Sequence, residues 1–180
     1  VSGHASFTGS DHDIRDHTGI EQKQPFVHYE KNQTQAIPNA TVTRVYFDAN
    51  DTKISDDLVF LNRSGIGDSD GNARFTVPVG YGGLYVINAW CTFDTSADTS
   101  GRYLLIRVNG TGYEAEQQVY NKNSQLRMST SFIASLSAGD FVEMVVYQAS
   151  GGVLDLVDRN GGTEPGTALK MTRVATGGAS

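Results

Sequence analysis

The sequence predicts an all-β fold: a jelly-roll sandwich of about ten antiparallel strands, preceded by an extended N-terminal arm. Three observations carry this. Strand-like runs rich in Val, Ile, Tyr, Phe and Thr recur at short intervals from Phe26 onward, with turn residues between them. No segment carries the start and stop signals of a helix. The composition is turn-rich, with 20 glycines among 180 residues.

Residues 1–25, "VSGHASFTGSDHDIRDHTGIEQKQP", sustain neither a period of two nor one of 3.6. They are polar and acidic, and are expected to form an extended arm that needs a partner to be ordered. The body, 26–176, opens with "PFVHYEK". "ATVTRVYF" alternates and places Val45 and Phe47 on one face. "DDLVFLN" and the turn-rich "RSGIGDSDGN" precede "ARFTVPV" and "GLYVINAWCTF". Between these two, proline removes a ladder donor and a glycine cluster permits unusual backbone angles. "RYLLIRVNG" and "TGYEAEQQVY" meet at Asn109-Gly110, a strong hairpin signal. "LRMSTSFIASL", "DFVEMVVYQ", "GVLDLV" and "TALKMTRVAT" complete the series, and 177–180 form a short flexible tail.

Charge and cysteine content narrow the function. Net charge is −6 with acids and bases interspersed, so a phosphate-reading basic stripe is absent and no nucleic-acid partner is expected. No apolar run reaches membrane-spanning length, so no membrane insertion is expected. The single cysteine, Cys91, lies inside a strand pattern and reads as a small buried hydrophobe. The chain opens on Val1 without a leader pattern. It is therefore expected to be processed, trimmed or part of a longer polypeptide.

Several features carry the residue types of chemistry without its spacing. His12, Asp13, Asp16 and His17 in "DHDIRDH" are good transition-metal ligands, and around a three-fold axis one or two per chain would complete a site. They are read instead as a solvated acidic turn in a tail, and no metal or other cofactor is expected. "DSDGN" fails the calcium-loop pattern, with glycine fourth and Val79 where a glutamate is required. All four histidines lie at or before His28 and no G-x-S-x-G elbow exists, so a hydrolase triad is not expected. Glu114, Glu116, Glu143 and Asp155 show no pairing for glycosidase chemistry. The chain is read as having no catalytic residues.

Five N-x-[ST] sequons begin at Asn32, Asn39, Asn50, Asn62 and Asn109, and are read as chance matches in an Asn/Thr-rich β protein. Phe75, Tyr85 and Phe141 are assigned to the protomer core. Tyr103, Phe132 and Tyr147 are candidates for a subunit interface, where aromatics are enriched. The loops "DTSADTSG", "YNKNSQ" and "DRNGGTEPG" are candidates for recognition, with Tyr120, Asn121 and Asn123 as a loose sugar-binding group.

Five motifs, in order, resemble the C1q-like domains. They are "QAIPNATVTRVYFD", "ARFTVPVGYGGLYVINAWCTF", "RYLLIRVNG", "SLSAGDFVEMVVYQ" and "TALKMTRV", spanning about Phe26 to Thr176. The first is similar to the bacterial and phage branch, and "YGG" is an insertion relative to the usual pattern. The resemblance implies a ten-strand jelly roll of the tumour necrosis factor type, usually a trimer about a three-fold axis, that binds or scaffolds and is not an enzyme. It implies a bacteriophage virion protein on the particle surface. A capsid decoration or head fibre would attach to other virion proteins by its N-terminal arm. A receptor-binding tail-fibre or baseplate tip would recognise a host surface glycan. A secreted cellular C1q-like recognition protein is the third reading, and the absence of a Gly-X-Y repeat in the chain counts against it.

Overall fold

A computed structural model describes residues 25–47, 52–55, 74–98, 100–120, 124–157 and 166–176, with 52–55 and 112–120 described as backbone alone. Twelve strands are described: β1 (Phe26–Glu30), β2 (Gln35–Ile37), β3 (Thr43–Arg44), β4 (Thr52–Ser55), β5 (Phe75–Thr76), β6 (Gly83–Phe93), β7 (Gly101–Val108), β8 (Thr111–Tyr120), β9 (Leu126–Leu136), β10 (Phe141–Gln148), β11 (Leu154–Leu156) and β12 (Ala168–Thr176). Every described ladder is antiparallel. They form two sheets. One holds β2, β11, β6, β12, β1 and β4 with β9 on β6; the other holds β3, β10, β7 and β8 with β5 on β10.

The expected all-β sandwich is therefore present, with more and shorter strands than expected. β2 and β4 are short additions to the first sheet. "ATVTRVYF" contributes only Thr43–Arg44 to a ladder, although Val45 and Phe47 are both buried as its alternation requires. "DDLVFLN" and "RSGIGDSDGN" lie outside the described residues, as do residues 1–24 of the arm and the tail.

The core lies between the inner faces of the sheets. β6 supplies Tyr85, Ile87, Ala89, Cys91 and Phe93, and β10 supplies Val142, Met144 and Val146. Tyr29, Phe47 and Phe75 close one side with ring centroids 5.3–5.9 Å apart in tilted and edge-on contacts. Burial pushes the Cys91 thiol far up, so it stays a protonated hydrophobe. Phe141 departs from its expected place. It is half-buried on the outer face of the second sheet, where the Arg74 guanidinium lies 4.1 Å from its ring centroid. The reason is phase: the inward positions of β10 are the even-numbered ones, and Phe141 is odd.

That outer face also holds a buried carboxylate. Glu143 Oε1 accepts from Arg44 Nη2 at 2.7 Å and Arg74 Nε at 2.9 Å. Two guanidiniums offset the cost of taking the charge out of water.

Polar turns lock each end. Chain entry at Pro25 and exit at Thr176 share one end, since Phe26 pairs with Thr172 and the Arg173 amide donates to the Pro25 carbonyl. At this end Asn109 (φ 56°) and Gly110 (φ 70°) form the two-residue hairpin that their identities predict. Asp140 joins it to the β9–β10 turn. Its Oδ1 accepts from Asn109 Nδ2 at 2.8 Å, and its Oδ2 from the Ser137 amide at 2.7 Å. Its backbone carbonyl accepts from Val77, and the Gly139 amide donates back to Val77. The inserted "YGG" now has a conformation. Pro78 to Tyr81 is a turn with Gly80 at φ 83°, and Tyr81 lies beneath Arg173, 5.2 Å from its ring centroid. The Tyr85 hydroxyl donates to the Tyr81 carbonyl at 2.5 Å.

At the opposite end the fully buried Gln148 does equivalent work. Its Nε2 donates to the Ile37 and Gly152 carbonyls at 2.9 and 2.8 Å, and its Oε1 accepts from the Ser150 amide at 2.7 Å. Asn39 Oδ1 accepts from the Gly151 amide at 2.8 Å. Asn39 and Asn109 thus have backbone duties that account for two of the sequons.

Asp140→Ala removes two charge-assisted bonds and leaves the Asn109 amide and Ser137 N–H to water. The expected loss is about 1–3 kcal/mol. Chemical denaturation should show it as a lower midpoint at unchanged slope.

Candidate interaction surfaces

The first sheet has a second face, and the register defines it as a grid. The outward positions of β6 are Leu84, Val86, Asn88 and Trp90. Across the β9 ladder they meet Ser135, Ile133, Ser131 and Ser129. Across the β12 ladder Val86 meets Thr172, Asn88 meets Lys170 and Trp90 meets Ala168. His28 on β1 extends the Asn88 row, opposite Lys170, and its ring centroid is 5.3 Å from that of Trp90.

One end of this face is apolar where a solvated sheet face should be polar, while its middle row is polar. Leu84 is 39% exposed, Ile133 61% and Val174 40%, and they cluster at the end where the chain enters. Trp90, half-buried, marks the other end of the grid. Between β6, β9 and β12 lies a shallow cleft of about 500 Å³ lined by Asn88, Trp90, Ser129, Ser131 and Lys170. Single exposed aliphatics are ordinary, but a contiguous set on one sheet face marks an interaction surface.

The candidates read from the sequence do not sit there. Tyr103 and Tyr147 are directly opposite each other on β7 and β10, with ring centroids 5.4 Å apart, edge to face. They lie on the outer face of the second sheet, on the far side of the sandwich. Phe132 is opposite Ile87 and points inward, packed against the core. The three aromatics therefore share no surface. Tyr120 is the last residue of β8, and Asn121 and Asn123 lie outside the described residues. His12, Asp13, Asp16 and His17 lie outside them too. Among the described residues no three His, Cys, Asp or Glu side chains cluster as metal ligands, and no helix is long and apolar enough to cross a membrane.

Sequence reasoning missed the outer face, yet the signal was present. In "GLYVINAW" both phases of the alternation are mostly apolar, with Asn88 the exception, which leans toward a strand covered on both faces. Leu84, Val86 and Trp90 form the second phase.

The recognition loops fare differently. β6 ends and β7 begins at the end far from Pro25 and Thr176, and so do the end of β8 and the start of β9, and the end of β11 and the start of β12. All three candidate loops are thus carried by strands that end together.

No family model matches the chain, and none of the curated proteins compared with it does. Solved structures do match. Murine APRIL at pH 5.0 aligns with a TM-score of 0.57 at 13% identity, covering 84% of this chain and 100% of that one. The Eiger TNF of S. frugiperda aligns with a TM-score of 0.48 at 13% identity, covering 87% of this chain and 96% of that one. The likeness to APRIL establishes the fold, a jelly roll of the tumour necrosis factor and C1q-like kind.

If the outer face of the first sheet is buried in self-association, Trp90 reports it, being the single tryptophan. On concentration its emission should shift to shorter wavelength and its quenching by acrylamide should fall. Ile133→Arg should weaken association at least tenfold while leaving the far-ultraviolet circular dichroism unchanged. Equal association by the variant would remove this face from the interface.

Proposed function

We propose that this chain is a non-enzymatic display module that works as a homotrimer on a virion surface. The observation that carries the assembly is the apolar outer face built on β6. Burying it at about 25 cal/mol per Å² supplies the association energy that a monomer forgoes. Three copies about one axis give each face a partner without leaving an open end, as closed symmetry requires. The resemblance of five ordered motifs to C1q-like domains supports the same stoichiometry.

The polarity of the fold supports the division of labour. Strand β1 begins and β12 ends at one end, and the arm joins the sandwich there at Pro25. The three candidate loops are carried at the other end. An arm that docks on other virion proteins would then hold the loops outward, as in a capsid decoration or head fibre. The same loop-bearing end favours one second reading, a tail-fibre or baseplate tip. There, three weak loop contacts to a host surface glycan would sum by multivalency.

Two measurements check this. Mass photometry should give a species three times 19.4 kDa, and a monodisperse monomer across micromolar concentrations would sink the proposal. Deleting 1–25 should leave the sandwich folded, because its ladders begin at Phe26, and should abolish incorporation into particles. Wild-type occupancy by the truncated chain would refute docking by the arm.

A further inference from the structure

The cleft on the outer face of the first sheet is chemically unlike the apolar patch that shares the face. It holds about 500 Å³ and draws its lining side chains from three strands. Asn88 and Trp90 come from β6, Ser129 and Ser131 from β9, and Lys170 from β12. The register brings them together. Trp90 is directly opposite Ser129, and Asn88 stands between Ser131 and Lys170 in one row. Leu84 and Ile133 lie further along the same face, toward the end where the chain enters.

Each component answers a different part of one ligand. An indole gives a flat apolar wall, against which the C–H face of a pyranose ring packs. The His28 ring, with its centroid 5.3 Å from that of Trp90, stands beside this wall. One amide and two hydroxyls can donate and accept, which matches the hydroxyl edge of a sugar. Lys170 adds a single positive charge on a half-buried side chain. Among the described residues no carboxylate lines the cleft, and the cross-strand neighbours of Lys170 are Asn88 and His28. Glu30, two residues along β1 and opposite Ala168, is buried and is not part of the lining. A ligand that displaces water from this ammonium has to bring an acceptor, and an anionic one returns most. One point charge without a guanidinium fork suits a single carboxylate better than a phosphate.

We infer that this cleft binds one acidic monosaccharide unit, a pyranose carrying a carboxylate, with its ring on Trp90 and its carboxylate at Lys170. The site is built within one protomer. That it stays open in the assembled protein rests on the proposed trimer, in which contact through the apolar end of the face leaves the Trp90 end clear. Trp90 lies toward the loop-bearing end, so three weak sites on one trimer would sum by multivalency on a surface rich in such sugars.

The test titrates sodium D-glucuronate and sodium D-galacturonate, separately, into the full chain at constant ionic strength. The emission of the single tryptophan is the readout. At least one of the two should change it saturably, and saturation-transfer difference spectra should show magnetisation reaching the protons of the sugar ring. The corresponding uronamide keeps the ring and loses the charge, and should need about tenfold more for half-saturation. Lys170→Met keeps most of the stem. It should weaken the uronate by the same factor and leave the uronamide unchanged. Trp90→Ala, checked for folding by far-ultraviolet circular dichroism, should lose the saturation transfer. Ile133→Arg, at the apolar end, should bind as the wild type does. Indifference of Trp90 emission to both uronates, equal binding of acid and amide, or unchanged binding by Lys170→Met would each overturn the assignment. Binding by Ile133→Arg but not by the wild type would mean that assembly seals the cleft, and would overturn it as well. A monodisperse monomer that binds a uronate would remove the trimer and leave the cleft standing.

Discussion

Strand β6 is hydrogen-bonded along both edges, to β9 over its full length and to β12 and then β11 on the other side. Central position and apolar content together set the rest of the molecule. Its inward residues, from Tyr85 to Phe93, are the middle of the core, and every one of them is buried. Its outward residues, Leu84, Val86 and Trp90, cannot be satisfied by a second sheet, because the second sheet already covers the inner face. One strand thus supplies both the middle of the core and most of the apolar part of the sandwich's outer face. An inward polar substitution would strike folding; an outward one leaves the core intact.

Closing the two ends takes polar side chains rather than more core. Asp140 bonds across three turns at the end where the chain enters, and Gln148 bonds across two loops at the other. Each replaces backbone partners that ladders cannot supply beyond the last strand residue. The difference between them is burial. Gln148 is wholly enclosed and all its bonds are internal, whereas Asp140 is half-exposed and water can substitute in part. The loop-bearing end is therefore the more exacting of the two.

Much of this was legible in the sequence. The hairpin at Asn109-Gly110 follows from backbone angles that few other pairs adopt, and the long strand from Gly83 follows from length and β-branched content. Asn39 and Asn109 were readable as structural asparagines for the same local reason. What was not legible depends on phase between distant strands. Whether Phe141 or Val142 faces inward is decided by pairing with β7, more than thirty residues away. Tyr103 and Tyr147 looked like interface residues because aromatics on strands are so often buried. Only the register shows that they pair with each other on the outer face of the second sheet. The short strands β2 and β4 are held by ladders to β11 and β1 rather than by any pattern of their own.

The sandwich buries charge in two ways, and the contrast bears on how its faces differ. On the outer face of the second sheet Glu143 is met by two guanidiniums, and Phe141 covers one of them. Within the protomer this carboxylate is met by two guanidiniums through its Oε1 alone. On the outer face of the first sheet, Lys170 sits in the row of Asn88 and Ser131 with apolar neighbours at Val86 and Trp90. A subunit covering this face must leave that ammonium hydrated or bring it an acceptor, since sealing it dry would cost more than the surrounding aliphatics return. The cleft beside Trp90 supplies the room for water that such an interface needs. If copies of this chain associate through this face, the alignment that covers Leu84 and Ile133 while leaving Lys170 solvated is favoured over those that seal the ammonium dry.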